Sequence, residues 1–259
     1  YFVNVGHIAG AESIPALIDV NRLVTRHSAV VGTTGSGKST TVASLLNALS
    51  DQKKYPSSRI LVFDLHGEYA QALKDKATIF KVNADKSKDS TEKELYIPFW
   101  ALNFEELCDI SFGSFGNDRD KNVVLERILQ EKIKSITNYP KKGIDIDSPI
   151  PFSLNHLWYN LYTQTLGKFY PDRNGTTLDN LAYETDAEGN EIKGDATKGI
   201  PPIFKKINTS KANGERVQYL PNSDVPLNNS QQLQSLGSKL RVPRFDFIFK
   251  PGEWTPNED

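Results

Sequence analysis

Apolar residues are spaced in two different ways along this chain of 259 residues, and the change of spacing marks out its organisation. In the first hundred residues, short apolar runs alternate with amphipathic stretches. Ala29-Val30-Val31 is a run that ends at a glycine, and Thr40 to Leu49 then carries Val42, Leu45, Leu46 and Leu49 at helical spacing. Arg59 to Phe63, after the polar loop 51–58, is a nearly continuous apolar run of β-forming residues. A run without polar alternation is how a strand buried on both faces reads. Tyr69 to Lys74 predicts a short helix, and Ala77 to Val82 a further strand. Strands alternating with helices predict an α/β fold with a mostly parallel sheet flanked by helices. Residues 1–20 read as short extended segments interrupted by Gly6, Gly10 and Pro15.

Beyond residue 97 the pattern becomes helical, then polar. Asn103 is placed to cap a helix over 103–110, with Glu105 and Glu106 in its first turn. Asp118 to Thr137 predicts a longer helix with Val123, Val124, Ile128, Ile133 and Ile136 on its apolar side, and Pro151 to Tyr162 contains another. From Gly167 to about Asn229 the chain is rich in Gly, Asn, Asp, Lys and Pro, which predicts long, partly mobile surface loops rather than a second core. Gln231 to Leu240 predicts a helix. Arg244 to Phe249 alternates like a strand and stops at Lys250-Pro251-Gly252.

Between the run at 29–31 and the amphipathic stretch lies Gly32-Thr33-Thr34-Gly35-Ser36-Gly37-Lys38-Ser39. It fits the phosphate-binding pattern G-x-x-x-x-G-K-[ST], in the strand–turn–helix context that gives the pattern its meaning. Gly32, Gly35 and Gly37 permit backbone angles that a Cβ would forbid, so the loop can turn several N–H groups inward. With the positive end of the following helix, those donors hold phosphates. The expected nucleotide-binding residues are Thr34, Gly35, Ser36, Gly37, Lys38, Ser39 and Thr40. Lys38 would reach the β- and γ-phosphates, and the Ser39 hydroxyl would bind Mg²⁺.

Asp64-Leu65-His66-Gly67-Glu68-Tyr69 follows the run at 59–63. That is the carboxyl end of a predicted strand, where ligands collect in open α/β sheets. Asp64 and Glu68, with Lys38, are therefore the candidate catalytic residues: a carboxylate here could hold a metal-bound water or orient the attacking one. The plainer alternative is that Asp64 caps a turn, Gly67 makes the bend and Glu68 is solvated. Position alone supports both. His66 has no second ligand at zinc-site spacing.

Charge and composition narrow the partners. The 31 basic and 32 acidic residues nearly cancel, so any nucleic-acid contact must be local. A single cysteine, Cys108, excludes an intramolecular disulfide and fits a reducing cytoplasm; it reads as a small apolar residue beneath a helix. No signal peptide or long apolar run predicts a membrane association. The chain contains no methionine, even at its first position, which predicts an incomplete gene product lacking its ends, internal segments or individual methionines.

Taken together, these motifs resemble the HerA branch of the HerA/FtsK ATPases. The resemblance is carried by Arg26-His27-Ser28-Ala29-Val30-Val31 with Gly32 to Ser39, by Val62 to Tyr69, and by Ile97-Pro98-Phe99-Trp100-Ala101-Leu102-Asn103. Val5-Gly6-His7 to Leu23 is similar to the exit from that family's N-terminal β-barrel, and Arg244 to Phe247 with Lys250-Pro251-Gly252 to a late motor segment. The resemblance implies a RecA-like P-loop ATPase using ATP and Mg²⁺, assembled as a homo-hexamer that translocates double-stranded DNA. It also implies a partner nuclease in DNA-end processing, or a defence effector in an anti-phage system. On this basis residues 1–22 end the barrel and linker, 23–104 begin the ATPase core, 105–230 are a helical and loop insertion, and 231–259 return towards the core. No apolar strand ending in Asp-Glu or Glu-Glu follows the P-loop, so Walker B, the sensor and the arginine finger are expected beyond this chain.

Other P-loop classes fit less well. Asp64-Leu65-His66-Gly67 satisfies the GTPase pattern Asp-x-x-Gly, but it leaves little room for a switch segment, and no Asn-Lys-x-Asp is present to read guanine. Ser235-Leu236-Gly237-Ser238 is not an ABC-type signature. A different class stays open: a nucleotide-dependent oligomeric scaffold that organises a nuclease, with turnover incidental.

Overall fold

The computed structural model describes residues 1–87, 90–136, 143–172, 175–179, 182–207, 209–212, 215–219 and 230–251. Two compact units divide the chain, residues 1–95 and 96–259.

The first unit opens with an antiparallel hairpin of β1 (Phe2–Ile8) and β2 (Ala11–Asp19). The predicted breaks are irregularities within one ribbon: its register shifts between Asn4 and Gly6, and Gly10, at φ +90°, lies in the turn. The Asp19 carboxylate accepts the N–H groups of Asn21 and Arg22, at 2.9 and 3.4 Å, and so starts α1 (Val20–Thr25). The P-loop leads into α2 (Lys38–Leu49). Val3, Val20 and Leu49, with Leu23, Leu45, Ala48 and Tyr55 around them, form a small core that seats the hairpin against α2. Further on come α3 (Ala70–Leu73) and the parallel pair β3 (Ile79–Lys81) and β4 (Glu92–Glu94).

Two predicted strands find no partner among the described residues. Neither Ala29–Val31 nor Arg59–Phe63 joins a sheet, and Val31, Leu61 and Phe63 are 88, 80 and 84% exposed. A strand persists only where another strand takes up its N–H and C=O groups, so apolar composition alone does not create one. The described sheets each have two strands, and the parallel pairing is β3–β4. The expected mostly parallel sheet is thus represented by one small pair in a mixed helix-and-strand structure. The composition of β4, Glu-Lys-Glu, does not read as a strand; the Lys81–Glu92 ion pair, at 3.1 Å, ties it to β3.

The second unit is built on helices whose starts were legible. In α4 (Phe104–Ser111) the Asn103 side chain accepts the Glu106 N–H at 2.9 Å, while the Glu106 carboxylate accepts the Asn103 N–H at 3.0 Å. Asn117 caps α5 (Asp118–Ser135) and Ser153 caps α6 (Leu154–Leu166). Along α7 (Gln231–Arg241), Gln232, Ser235 and Lys239 follow one another at helical spacing. They donate to the carbonyls of Ser114, Ser111 and Ile110, at 2.9, 3.2 and 2.6 Å, which satisfies the carbonyl end of α4. The core between these helices includes Leu107, Val124, Ile128, Trp158, Leu161 and Leu236.

Residues 244–249 are helical rather than a strand. A 3₁₀ turn over Pro243–Phe245 runs into α8 (Asp246–Phe249). Six residues with alternating aromatics also satisfy a period of three to four. Pro243 at the start of the turn and burial of Ile248 and Phe249 together select that period. Gly252, of the expected Lys-Pro-Gly stop, lies outside the described residues.

The polar region is more ordered than its composition predicts. It contains two hairpins, β5 (Phe169–Asp172) with β6 (Gly175–Leu178) and β7 (Thr209–Ala212) with β8 (Glu215–Gln218). Residues 182–207 between them are held by turns. The Asp186 carboxylate accepts from Glu188 and Asn190 N–H at 3.1 and 2.7 Å, and that of Asp195 from Thr197 N–H at 2.9 Å. Tyr159 and Asn155 of α6 donate to the carbonyls of Lys193 and Thr197, at 2.7 and 2.9 Å. Aspartate-centred turns, with buried Ala182 and Tyr183 and the ring of Phe204 stacked on Tyr183, impose an order that a composition argument does not detect. Residues 220–229 of this region lie outside the described residues.

Lys132 of α5 is buried, and its ammonium donates to the carbonyls of Ile146 and Ser148 at 2.6 and 2.8 Å. Burial pushes its pKa down, opposed by the charges of Asp147 and Asp145. Lys132→Met would keep the apolar stem and leave two carbonyls without a donor. A loss of about 2–4 kcal/mol in urea unfolding is expected. A loss below about 0.5 kcal/mol would mean that water replaces the ammonium there.

Candidate phosphate-binding site

The P-loop geometry follows from two glycines and a lysine. Gly35 and Gly37 have φ of +81° and +86°, which L side chains rarely adopt. The Ser36 N–H donates to the Thr33 carbonyl at 3.2 Å and closes the turn. Gly37 is the N-cap of the twelve-residue α2, so no side chain caps its first turn. Amide donors of that turn are thereby available to an anion, at the positive end of the helix. The Lys38 ammonium donates to the Thr33 carbonyl at 2.8 Å, which folds the side chain back over the loop. Lys38 and Ser39 are half-buried, whereas Thr34, Gly35, Ser36 and Thr40 are exposed.

The acidic motif is organised around Asp64. One oxygen of its carboxylate accepts the Glu68 N–H at 3.0 Å and the other the Tyr69 N–H at 2.9 Å, across a bend at Gly67 with φ +72°. Partial burial raises the Asp64 pKa, but the amides of Tyr69, Glu68, Gly67 and His66 outweigh it and hold the carboxyl below its ordinary value. The plainer expectation for Asp64, a turn cap, is what its bonds describe.

The two motifs meet at one contact: the Ser39 hydroxyl donates to the Glu68 carboxylate. Behind it, the Asn47 amide of α2 donates to the Ala72 carbonyl at 3.2 Å, and the Lys76 ammonium to the Asn47 carbonyl at 3.0 Å. These bonds fasten α3, and with it the acidic loop, along α2. Sequence reasoning missed Thr33, Asn47 and Lys76. Each acts through a contact made by folding, and no motif announces it.

Hard oxygen donors from a hydroxyl and a carboxylate suit Mg²⁺. Among the described residues no three His, Cys, Asp or Glu side chains converge on a metal site. A cation here would therefore need phosphate oxygens and water to complete its shell. Cys108 is buried and its thiol is pushed up to about 12, chiefly by burial, so it is a packing residue rather than a nucleophile.

Residues 3–234 match the family model of the helicase HerA central domain. The chain belongs to that family. Among HerA relatives, the DNA double-strand break repair helicase HerA of Sulfurisphaera tokodaii is 41% identical over 159 residues, 61% of this chain and 27% of that protein. The protein of the same name from Saccharolobus solfataricus is 28% identical over 165 residues, 63% of this chain and 28% of its own length. A probable helicase of Methanocaldococcus jannaschii is 33% identical over 109 residues, 42% of this chain and 19% of its own. The chain spans less than a third of the length of these curated relatives. No helix among the described residues is long and apolar enough to cross a membrane.

Proposed function

We propose that this chain is the nucleotide-gripping part of an ATP-hydrolysing motor with a RecA-like core. In this reading the whole protein acts in the cytoplasm as a homo-hexamer on double-stranded DNA, with a partner nuclease or a defence effector. Thr34 to Thr40 enclose the phosphates of ATP, Lys38 contacts the β- and γ-phosphates, Ser39 binds Mg²⁺, and Asp64 and Glu68 supply the acidic motif that serves catalysis beside it. The single observation that carries the reading is the Ser39–Glu68 hydrogen bond, which brings the acidic motif to the metal-binding end of the P-loop. The exposed apolar runs at 29–31 and 60–63 add support, because their composition suits strands buried inside a larger parallel sheet. Two relatives are named as DNA double-strand break repair helicases, which favours DNA ends as the working substrate over phage defence.

The test uses the full-length protein. ATP hydrolysis is expected to rise several-fold on addition of linear duplex DNA, and light scattering with ATP and Mg²⁺ is expected to give the mass of a hexamer. Hydrolysis indifferent to DNA, together with nucleotide-driven activation of a nuclease, would replace the motor by the scaffold. A stable monomer would remove the ring.

A further inference from the structure

The two carboxylates of the acidic motif are equivalent in the sequence but not in the structure. We infer that Glu68 holds the magnesium ion jointly with Ser39, and that Asp64 is a positioning residue that sets Glu68 in place. This division of labour rests on the nucleotide-binding reading above.

Asp64 is committed to its own loop, since each of its oxygens accepts a backbone N–H from the Glu68–Tyr69 step. Those two bonds determine where the chain leaves the Gly67 bend, and so where the Glu68 side chain starts. Glu68 is placed differently. One of its oxygens accepts the Ser39 hydroxyl, from 29 positions away in sequence, and the other makes no hydrogen bond among the described residues. Among the described residues it makes no ion pair, and the Lys38 ammonium donates to the Thr33 carbonyl instead. The result is a carboxylate with one oxygen uncommitted among the described residues, set against the hydroxyl through which a P-loop binds its metal.

That arrangement complements a divalent cation in two ways. A serine that gives its proton to a carboxylate keeps its oxygen lone pairs available to a metal. The free carboxylate oxygen supplies negative charge to the ion's shell, either directly or through a water. Mg²⁺ characteristically takes one or two carboxylates together with substrate phosphates and retains several waters. A residue serving only as base for the attacking water would have no need to touch Ser39.

The experiment measures binding rather than turnover, on full-length protein, with a fluorescent ATP analogue titrated in EDTA and then at increasing Mg²⁺. For the unsubstituted protein, Mg²⁺ is expected to tighten binding. In Glu68→Gln, affinity in EDTA should stay within about twofold, while the Mg²⁺ concentration for half-maximal tightening rises about 10- to 100-fold, the usual effect of losing a group that orients a metal ligand. Glu68→Asp, which keeps the charge, should recover part of this shift. Asp64→Asn should show a smaller shift of the same kind, again at unchanged affinity in EDTA. Glu68→Gln with an unaltered Mg²⁺ dependence would overturn the inference and make Glu68 a base alone. Equal losses with and without Mg²⁺ would also overturn it, by showing damage to the loop. If the unsubstituted protein binds no nucleotide, the nucleotide-binding reading itself fails.

Discussion

Lys38→Ala is expected to reduce ATP hydrolysis by the full-length protein at least about 100-fold, or about 2.7 kcal/mol of transition-state stabilisation. Lys38 begins α2 and is held over the loop by the Thr33 carbonyl at 2.8 Å. In the proposed site that charge would act where negative charge accumulates on the phosphates, and losing it would remove electrostatic stabilisation of the transition state. The same geometry predicts a near-normal fold for the variant, because its one described polar bond goes to an exposed carbonyl. The unfolding midpoint should hardly move, with a change within about 0.5 kcal/mol. Steady-state hydrolysis and thermal unfolding of the same preparation check both statements. Activity within tenfold of the unsubstituted protein would mean that this loop is not the hydrolytic site. Lys38→Arg should also fail, since a planar guanidinium cannot occupy a cradle shaped for a compact ammonium.

The largest effect on stability is expected at Trp158. Its side chain is only 2% exposed, its indole N–H donates to the Leu233 carbonyl at 2.8 Å, and the Arg241 guanidinium lies 5.1 Å from the ring centroid. Trp158→Ala should cost about 3–5 kcal/mol, from lost burial, the remaining cavity and an orphaned carbonyl. The same contact can be tested from its other side. A Cβ on Gly237 would lie 2.7 Å from the indole nitrogen, closer than real side chains approach. In an exposed helix, Gly→Ala gains about 1 kcal/mol. At Gly237 the substitution should instead lose about 1–3 kcal/mol through overpacking. Urea unfolding of the two single variants distinguishes a tight helix–helix crossing from an incidental glycine: a stabilised Gly237→Ala would refute the close approach of α6 and α7.

The helices of the second unit were largely legible because their signals are local. Asn103 with Glu106, Asn117 and Ser153 each sit one position before a helix and accept amides within the first turn. The strands were harder to read. Arg59–Phe63 has the composition of a buried strand and no partner among the described residues, while Glu92–Glu94 lacks that composition and is paired. Pairing is a property of two segments, and one segment does not encode it. At 244–249 the run was too short for its period to be decided by pattern.

What the sequence by itself determined is the chemistry of the loop. Glycines at 35 and 37 permit its turn, and Lys38 and Ser39 supply the charge and the hydroxyl, because backbone freedom and functional groups are properties of residues at fixed spacing. Only the tertiary structure decided between the two carboxylates. Asp64 spends both oxygens on neighbouring amides, while Glu68 crosses to Ser39, carried there by a bend at Gly67 and by the bonds of Asn47 and Lys76 that lay α3 along α2. Two like residues four positions apart carry no sequence mark of their different bonding. The partner each one meets in space sets them apart.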